Sequence, residues 1–340
     1  MTSIFALTTR GLEAISAAEI AAVVGVAVQA TTYRRVTAEC AASLAPLLDL
    51  RTVDDVYLDL ATWTGIGHTR DVLAVLQWHA TQLDLASAAE QIKALRPLAE
   101  RPVFSVTASF VGKRNFSSDE IKQTVKEGVR EISAWNYSPD DREADLNLRV
   151  FIEHENAYVG LRLSKSPLHE RAYKQVERAG SLKPSVAAAM LRLADFQPNQ
   201  TLLDPCCGSG TILIEAVLTG TQARGGDSDD EAVEAARLNA QAAQVEIALA
   251  HWDARQLPLA NGSSERIVTN LPWGRQVAVD DELARFYRAV CAEIERVLAP
   301  GGKAVVLTSA PSLLAFERLR PVEQIEISLF GQTPTISVLV

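Results

Sequence analysis

Cysteine is scarce in this sequence, and the few cysteines are not grouped. There are four among 340 residues, at positions 40, 206, 207 and 291. None of them forms the C-x-x-C spacing that is typical of zinc sites, and they do not build the framework of a small disulfide-stabilised domain. The composition supports neither a metal centre nor disulfides, and a chain of this length can bury a core in two or three domains without them.

Long apolar runs and an excess of basic residues are also missing. No stretch reaches the roughly 18 apolar residues that a membrane-spanning helix requires, and residues 1–10 lack a basic region followed by an apolar run. We therefore expect a soluble, cytoplasmic protein. The formal charge of −9 argues against a surface that coats nucleic acid throughout, because phosphate binding draws on lysine and arginine. Any basic surface has to be local.

A glycine-rich turn lies between a predicted strand and a predicted helix in the second half of the chain. Two leucines lead into Asp204–Thr211, and helical character continues to Leu218. Gly208 and Gly210 have no Cβ and tolerate positive φ, so backbone N–H groups and a helix N-terminus can approach a ligand closely. The alternative is a turn that needs glycine only for its shape. The adjacent Cys206 and Cys207 suit close packing better than a nucleophilic role.

A second segment, Thr269–Gly274, follows a predicted buried strand and has the sequence Thr-Asn-Leu-Pro-Trp-Gly. It suits an exocyclic amine on a base, whose lone pair is delocalised into the ring. The side-chain carbonyl of Asn270 and the main-chain carbonyl of Leu271 or Pro272 can accept both N–H protons and raise the nucleophilicity of that nitrogen. The face of Trp273 can stack on the base. A proline turn beside a core tryptophan is the alternative.

Two aspartates between these segments are candidate ligands of an adenosyl cofactor. A second strand over 223–226 is predicted to end at Asp227, where a carboxylate can accept both ribose hydroxyls. A third strand over 246–250 ends near Asp253, whose side chain can accept the adenine N6 protons; a solvated loop aspartate is the alternative. The acidic residues at 229–231 favour a helix start, where anions interact with the positive end of the helix dipole.

Strands and helices alternate through this half of the chain. After Pro272 the pattern predicts a helix over 281–298, a strand over 304–308, a helix near 311–319 and two closing strands around Ile325 and Ile336. Five strands alternating with helices, followed by a hairpin, predict an α/β fold. Its sheet is doubly wound and mostly parallel, with seven strands and one of them reversed.

The first half of the chain has an α+β pattern that we divide into two modules. Residues 1–60 begin with an apolar strand and a helix, as in a small ferredoxin-like module. In the second module, residues 61–165, positions 104–110 alternate apolar and polar side chains as in a half-buried strand. Residues 166–180 are predicted as a linker, and residues 181–340 as the α/β domain.

A predicted helix in the second module carries basic residues on one face. Its start has the capping-box pattern Ser117-Ser-Asp-Glu120. Three basic residues then repeat every four positions and therefore share a face, and two more precede the helix. A solvated helix face is the alternative, since glutamates lie between these charges. The resulting basic patch consists of Lys113, Arg114, Lys122, Lys126 and Arg130.

Together these residues resemble the class I S-adenosylmethionine-dependent RNA methyltransferases that carry an N-terminal THUMP domain, and among them the tRNA guanine-N2-methyltransferases. The likeness covers most of the chain. Leucine after Asn270 resembles the guanine branch, because adenine and cytosine amino-methylases more often have proline there. Besides the two segments above, the similarity rests on Leu7–Glu13, Phe104–Ile132, Arg171–Tyr173 and Leu182–Pro184.

The resemblance implies a Rossmann-like methyltransferase domain that uses S-adenosyl-L-methionine, without a metal, in a monomeric enzyme. It implies that the THUMP domain docks the single-stranded acceptor end of a tRNA, and that N2 of a guanosine in the acceptor stem, position 6, is methylated. The basic patch is our candidate for the RNA contact. The target amine would be held by Asn270, Pro272 and Trp273. The cofactor would be held by Asp204, Gly208, Ser209, Gly210, Thr211, Asp227 and Asp253.

Three other functions stay open on the sequence alone. The first is methylation of a guanine in ribosomal RNA, or of adenine N6 in a nucleic acid. The second is an RNA-binding subunit with an idle pocket, which the completeness of both signatures disfavours. The third is a nicotinamide oxidoreductase, which would require G-x-G-x-x-G after the first strand; residues 207–212 supply only two of the three glycines.

Overall fold

The computed structural model describes residues 1–197, 200–273 and 281–340, and the chain folds into two compact units. Unit 1 comprises Met1–Leu7 and Ala17–Leu168; unit 2 comprises Thr8–Ser16 and His169–Val340. Among the described residues, no helix is both long enough and apolar enough to cross a membrane.

Unit 1 is built on one sheet with helices packed against one face. The strands are β1 (Thr2–Leu7), β2 (Val26–Thr32), β3 (Arg35–Cys40), β4 (Asp55–Trp63), β5 (Val103–Phe110), β6 (Asn136–Tyr137), β7 (Leu146–Glu153) and β8 (Asn156–Arg162). The helices are α2 (Val72–Ala80), α3 (Leu85–Lys93) and α4 (Ser118–Ile132), with a 3₁₀ turn at Ala45–Asp49. Of α1 (Glu13–Ala21), residues 17–21 belong to this unit.

The sheet of unit 1 has the order β2-β3-β1-β4-β8-β7-β5-β6. Its neighbours are antiparallel, except that β5 is parallel to both β7 and β6. Alternate apolar residues of the strands pack against the helices, as the period-2 pattern of β5 predicts. The sheet contains strands from both predicted modules, and the predicted boundary after residue 60 lies within β4. The division of residues 1–165 into two modules stays a prediction.

Helix α4 begins with the predicted capping box. The Ser117 side chain accepts a hydrogen bond from the Glu120 N–H at 3.2 Å, and the Glu120 carboxylate accepts one from the Ser117 N–H at 2.9 Å. Its apolar stripe is buried, and it packs closely on α2: a Cβ on Gly128 would lie 2.5 Å from the Gln77 carbonyl oxygen. The absence of a side chain at Gly128 therefore permits the contact between the two helices.

Unit 2 contains a second sheet with helices on both faces. The strands are β9 (Thr201–Asp204), β10 (Gln222–Asp227), β11 (Ala248–His251), β12 (Ser264–Asn270), β13 (Leu298–Thr308), β14 (Pro321–Glu326) and β15 (Thr335–Leu339). The helices are α5 (Pro184–Ala194), α6 (Thr211–Leu218), α7 (Asp230–Ala242) and α8 (Asp281–Val297).

The sheet of unit 2 confirms the predicted α/β fold. Its order is β11-β10-β9-β12-β13-β15-β14, and every pair is parallel except the two pairs that β15 makes. The sheet thus has seven strands with one reversed. Because the carboxyl ends of its parallel strands meet at one edge, the ends of β9, β10 and β12 bring Asp204, Asp227 and Asn270 together.

The predicted helix near residues 311–319 is wrong. Only a 3₁₀ turn, Pro311–Leu313, forms there, and the following residues have no helical hydrogen bonding. The reason is a tertiary contact: the Glu295 carboxylate accepts hydrogen bonds from the N–H groups of Arg318 and Leu319 at 2.6 and 2.8 Å. These donors are therefore used outside a helix.

Candidate active site

A cavity of about 540 Å³ lies at the carboxyl edge of the unit 2 sheet. Its volume is in the range of sites that bind small molecules and cofactors. Most of the residues predicted for cofactor and amine binding line it. These are Asp204, Gly208, Ser209, Thr211, Asp227, Asn270, Pro272 and Trp273.

The glycine turn has the predicted left-handed backbone at both glycines. Gly210 (φ +80°) directly precedes α6, and a Cβ there would lie 2.9 Å from the Ala236 Cβ on α7. Gly208 (φ +50°) is different, because a Cβ there would project into open space. Gly210 is thus required by helix packing, while Gly208 leaves room at the wall of the cavity.

A polar side chain at the start of α6 lacks a partner. Within the described part of the chain, the buried hydroxyl of Thr211 makes no hydrogen bond, and Thr211 lines the cavity. Buried polar groups are normally paired, so this hydroxyl is a candidate contact for a bound molecule. The helix N-terminus beside it favours a negatively charged group.

Two carboxyl groups, those of Asp204 and Asp227, line the cavity next to the glycine turn. Burial, with a smaller contribution from the nearby negative charge of Asp227, raises the pKa of Asp204 to about 7. Asp227 accepts hydrogen bonds from the N–H groups of Gly208 at 3.0 Å and Asp229 at 3.2 Å. Asp204 therefore titrates near neutral pH, and a cationic ligand group beside it would favour its ionised form.

The amine-binding segment is held by its own side chains. The Trp273 indole N–H donates to the Asn270 side-chain oxygen at 3.0 Å, and the Asn270 amide N–H donates to the Gly180 carbonyl at 3.5 Å. These contacts fix which end of the Asn270 amide is the oxygen, and this oxygen retains a second lone pair. Gly274, the last residue of the predicted segment, lies outside the described residues.

A buried tyrosine supports the same segment from α8. The Tyr287 hydroxyl donates to the Pro272 carbonyl at 2.9 Å. It is also bonded to the Thr308 hydroxyl, which accepts from the Ala310 N–H at 2.9 Å. Burial raises the pKa of Tyr287 to about 12, so its hydroxyl stays a donor. One of the two lone pairs of the Pro272 carbonyl is therefore already used.

Residues 178–182 supply a further part of the cavity wall, and the residues that precede them are held in place by α7. Asn239 on α7 accepts from the N–H groups of Gln175 and Val176 at 3.0 and 2.9 Å. Its amide N–H group donates to the carbonyls of Val176 and Ser209, each at 3.0 Å. One fully buried asparagine thus ties this segment to the glycine turn. No local sequence motif around Asn239 predicts these contacts.

A second buried polar group anchors the start of that segment. The Glu215 carboxylate, fully buried on α6, accepts from the Arg171 guanidinium at 3.2 Å and from the Tyr173 hydroxyl at 2.8 Å. Burying a carboxylate is costly unless it is paired, so both partners matter for its position. The predicted linker over 166–180 therefore includes residues that are hydrogen-bonded to α6 and α7.

Asp253 is not among the residues that line the cavity. Its carboxylate pairs with Arg255 on the same loop, with nitrogen–oxygen distances of 2.6 to 3.0 Å. Those hydrogen bonds hold the pKa of Asp253 below its usual range. The assignment of Asp253 to the adenine stays a prediction. To bind adenine, the Asp253 carboxylate would have to give up or share its hydrogen bonds with Arg255.

Two members of the basic patch have partners within unit 1. The Arg114 guanidinium donates to the carbonyls of Ile66 and Gly67 at 3.0 and 2.7 Å, and to that of His154. Lys126 lies 2.9 Å from the Glu127 carboxylate and over the Tyr137 ring. The three other members are more open: Lys122 pairs with exposed Asp119, and Lys113 and Arg130 are exposed.

Comparison with known domain families assigns both units. Residues 171–329 match the family described as RMKL-like, methyltransferase domain, and residues 80–162 match the THUMP domain. The chain carries a THUMP domain and an RMKL-like methyltransferase domain. The predicted resemblance to methyltransferases that carry a THUMP domain is thereby confirmed.

Curated relatives extend this comparison. The tRNA (guanine(6)-N2)-methyltransferase of Thermus thermophilus is 34% identical over 215 residues, which are 62% of this chain and 63% of that protein. The tRNA (guanine(6)-N(2))-methyltransferase THUMP3 of Homo sapiens is 30% identical over 222 residues, which are 60% of this chain and 43% of that protein. The chain thus spans less than two thirds of the length of these relatives.

A solved structure matches the whole chain. TrmN from Thermus thermophilus superimposes with a TM-score of 0.79 at 28% sequence identity, covering 100% of this chain and 99% of that one. SMU.472, solved in complex with SAH, has a TM-score of 0.75 at 16% identity and shows the same fold.

Proposed function

We propose that this protein transfers a methyl group from S-adenosyl-L-methionine to the exocyclic N2 of a guanosine in tRNA, at position 6 of the acceptor stem. The observation that carries the proposal is the shared cavity of the glycine turn and the Asn270–Trp273 segment. The names of the Thermus and human relatives support guanine N2, tRNA and position 6.

The residues of the cavity fit this cofactor. The open space at Gly208, the unpaired Thr211 hydroxyl and the α6 N-terminus suit the carboxylate of the methionine part, and Asp204 suits its ammonium group. Asp227 suits the ribose hydroxyls. When bound, the cofactor supplies a methyl group that is already activated by a sulfonium, so the protein contributes mainly alignment.

Asn270 and Leu271 act on the nucleophile. The second lone pair of the Asn270 oxygen and the Leu271 carbonyl accept the two N–H protons of the guanine amine, which draws its nitrogen lone pair out of conjugation. Trp273 stacks on the base, and stacking contributes ~1–3 kcal/mol. That energy offsets the few kcal/mol needed to unstack the base and swing it into the cavity.

Nucleoside mass spectrometry tests this function directly. Unmodified tRNA transcripts, incubated with the protein and S-adenosyl-L-methionine, are expected to yield N2-methylguanosine. A matched transcript with adenosine at position 6 is expected to yield none. N6-methyladenosine as the product, or transfer to ribosomal RNA but not to tRNA, would contradict the proposal.

The THUMP domain would recognise the single-stranded acceptor end of the tRNA. The exposed charges of Lys113 and Arg130 and the half-buried Lys122 support contact with phosphates there, whereas Arg114 and Lys126 already serve internal contacts. The proposed enzyme is cytoplasmic and monomeric.

Replacing Lys113, Lys122 and Arg130 together by alanine is expected to weaken tRNA binding. The slope of log K against log salt concentration should become shallower by about 2 to 3, since each phosphate contact contributes roughly 0.7–0.9. A filter-binding titration between low and moderate salt measures both effects. The control replaces Lys93, Arg101 and Arg142, three exposed basic residues elsewhere in unit 1, and should leave the slope unchanged. Equal slopes for both triple variants would assign the basic patch to a solvated face.

A further inference from the structure

A chain of three hydrogen bonds leads from the end of β13 to the amine-binding segment. The Ala310 N–H donates to the Thr308 hydroxyl at 2.9 Å, and this hydroxyl is bonded to that of Tyr287. The Tyr287 hydroxyl donates to the Pro272 carbonyl at 2.9 Å. A phenol has a single hydroxyl proton and a carbonyl can only accept, so Thr308 is the donor in the bond between the two hydroxyls. All three bonds therefore point in one direction, toward Pro272.

The two hydroxyls lie in an otherwise apolar interior. Tyr287 and Thr308 are both fully buried, and the tyrosine ring belongs to the apolar core that also contains Leu203 and Leu271. A phenylalanine would fill the same space, so packing alone does not account for the tyrosine oxygen. A buried hydroxyl is costly unless it is paired, and in a dry interior successive hydrogen bonds strengthen one another. The chain of bonds thus gives the Pro272 carbonyl one preferred direction.

Two successive residues at the end of β13 hold the main chain of the segment. The Leu307 carbonyl accepts from the Leu271 N–H at 3.0 Å, and the next residue, Thr308, holds the Pro272 carbonyl through the tyrosine. That carbonyl belongs to the peptide that joins Pro272 to Trp273. The direction of the carbonyl therefore sets the plane from which Trp273 begins.

We propose that Tyr287 is a positioning residue for methyl transfer, which acts through the Pro272 carbonyl to hold Trp273 and the Asn270 oxygen where the target amine needs them. This inference rests on the proposed function. Tyr287 is not among the described residues that line the cavity, so it acts without touching the base. The Trp273 indole N–H donates to the Asn270 oxygen at 3.0 Å, which transmits a displacement of the peptide to that oxygen. In-line transfer tolerates little displacement of the reacting groups.

The main test is Tyr287→Phe, which removes one oxygen atom and keeps the ring. On an unmodified tRNA transcript, at saturating tRNA and S-adenosyl-L-methionine, we expect the single-turnover rate to fall about tenfold to 100-fold. The KM for tRNA and the dissociation constant of S-adenosylhomocysteine should stay within about twofold of the wild type. Slower transfer at unchanged affinities is a result that a loss of stability alone does not produce.

A second pair of variants tests the direction of the chain. Thr308→Val keeps the shape of the side chain without its hydroxyl and should slow transfer by about threefold to tenfold, whereas Thr308→Ser keeps the hydroxyl and should stay within about twofold of the wild type. Because Thr308 acts through Tyr287, the double variant Tyr287→Phe/Thr308→Val should be within about twofold of Tyr287→Phe alone. Rate losses that multiply in the double variant would overturn the action of Thr308 through Tyr287.

A matched control is Tyr57→Phe in unit 1, where a buried tyrosine hydroxyl donates to the Asp55 carboxylate at 3.3 Å. This control loses a buried hydrogen bond of the same kind and should keep the wild-type rate. Wild-type rate in Tyr287→Phe would overturn the positioning role and leave the proposed function intact. Loss of S-adenosylhomocysteine binding in Tyr287→Phe would assign the hydroxyl to the fold of the cavity and also overturn the inference. A wild type that methylates no guanosine in tRNA would overturn both.

Discussion

Replacing Asn270 by alanine is expected to lower the rate of methyl transfer by a factor of about 10²–10³, the loss typical of removing one group that acts on the reacting centre. The variant loses the oxygen that accepts an amine proton. It also frees the Trp273 indole, whose N–H donates to that oxygen at 3.0 Å. The nucleophile would thus lose both its activation and part of its alignment.

Single-turnover rates at saturating tRNA and S-adenosyl-L-methionine measure this effect without contributions from binding. Affinity for S-adenosylhomocysteine should stay within about twofold of the wild type, because Asn270 is assigned to the amine and not to the cofactor. Asn261→Ala, which changes a loop asparagine outside the cavity, is the control and should keep full activity. Full turnover by Asn270→Ala would contradict the assigned role.

Replacing Asp227 by alanine is expected to weaken cofactor binding by a factor of at least about 100. A hydrogen bond to a charged group contributes ~1.5–3 kcal/mol, and two such bonds to the ribose hydroxyls would be lost. The Gly208 N–H would also lose its acceptor, at 3.0 Å in the structure, so the glycine turn would lose a support. The variant would therefore lose cofactor affinity and also a hydrogen bond that holds the glycine turn.

Calorimetric titration with S-adenosylhomocysteine measures the loss. Asp230→Asn, three residues further on at an exposed position, removes the same charge outside the cavity and should bind normally. The two main variants separate the two halves of the site: Asn270→Ala should change the rate and Asp227→Ala the dissociation constant. An unchanged dissociation constant for Asp227→Ala would place the ribose elsewhere.

Local patterns in the sequence were sufficient for most of the methyltransferase domain. Strand and helix periodicity predicted the seven-stranded sheet, and the positions where strands end predicted that Asp204, Asp227 and Asn270 share one edge. This works because parallel strands in a doubly wound sheet all present their carboxyl ends to the same side. The glycine turn could also be predicted from local sequence, because a positive φ and close packing each require glycine at a single position.

Predictions from charge and from weak helical patterns were less complete. The basic patch was predicted from its spacing. In the structure, however, Arg114 donates hydrogen bonds to backbone carbonyls, and Lys126 contacts the Glu127 carboxylate and the Tyr137 ring. The predicted helix at 311–319 failed because Glu295, far away along the chain, accepts its N–H groups. For Arg114 and for the predicted helix, the competing partner comes from another part of the sequence.

The sequence by itself determined the class of the fold and the glycine turn, and it predicted the candidate acceptor groups for an amine, because each depends on residues that are neighbours along the chain. Only the tertiary structure decided that Tyr287 engages the Pro272 carbonyl, that Asn239 ties residues 175–176 to the glycine turn, and that Phe330 faces Trp273. These contacts join positions separated by 15 to 64 residues. No local periodicity encodes such pairs, since packing of the sheet and its helices brings them together.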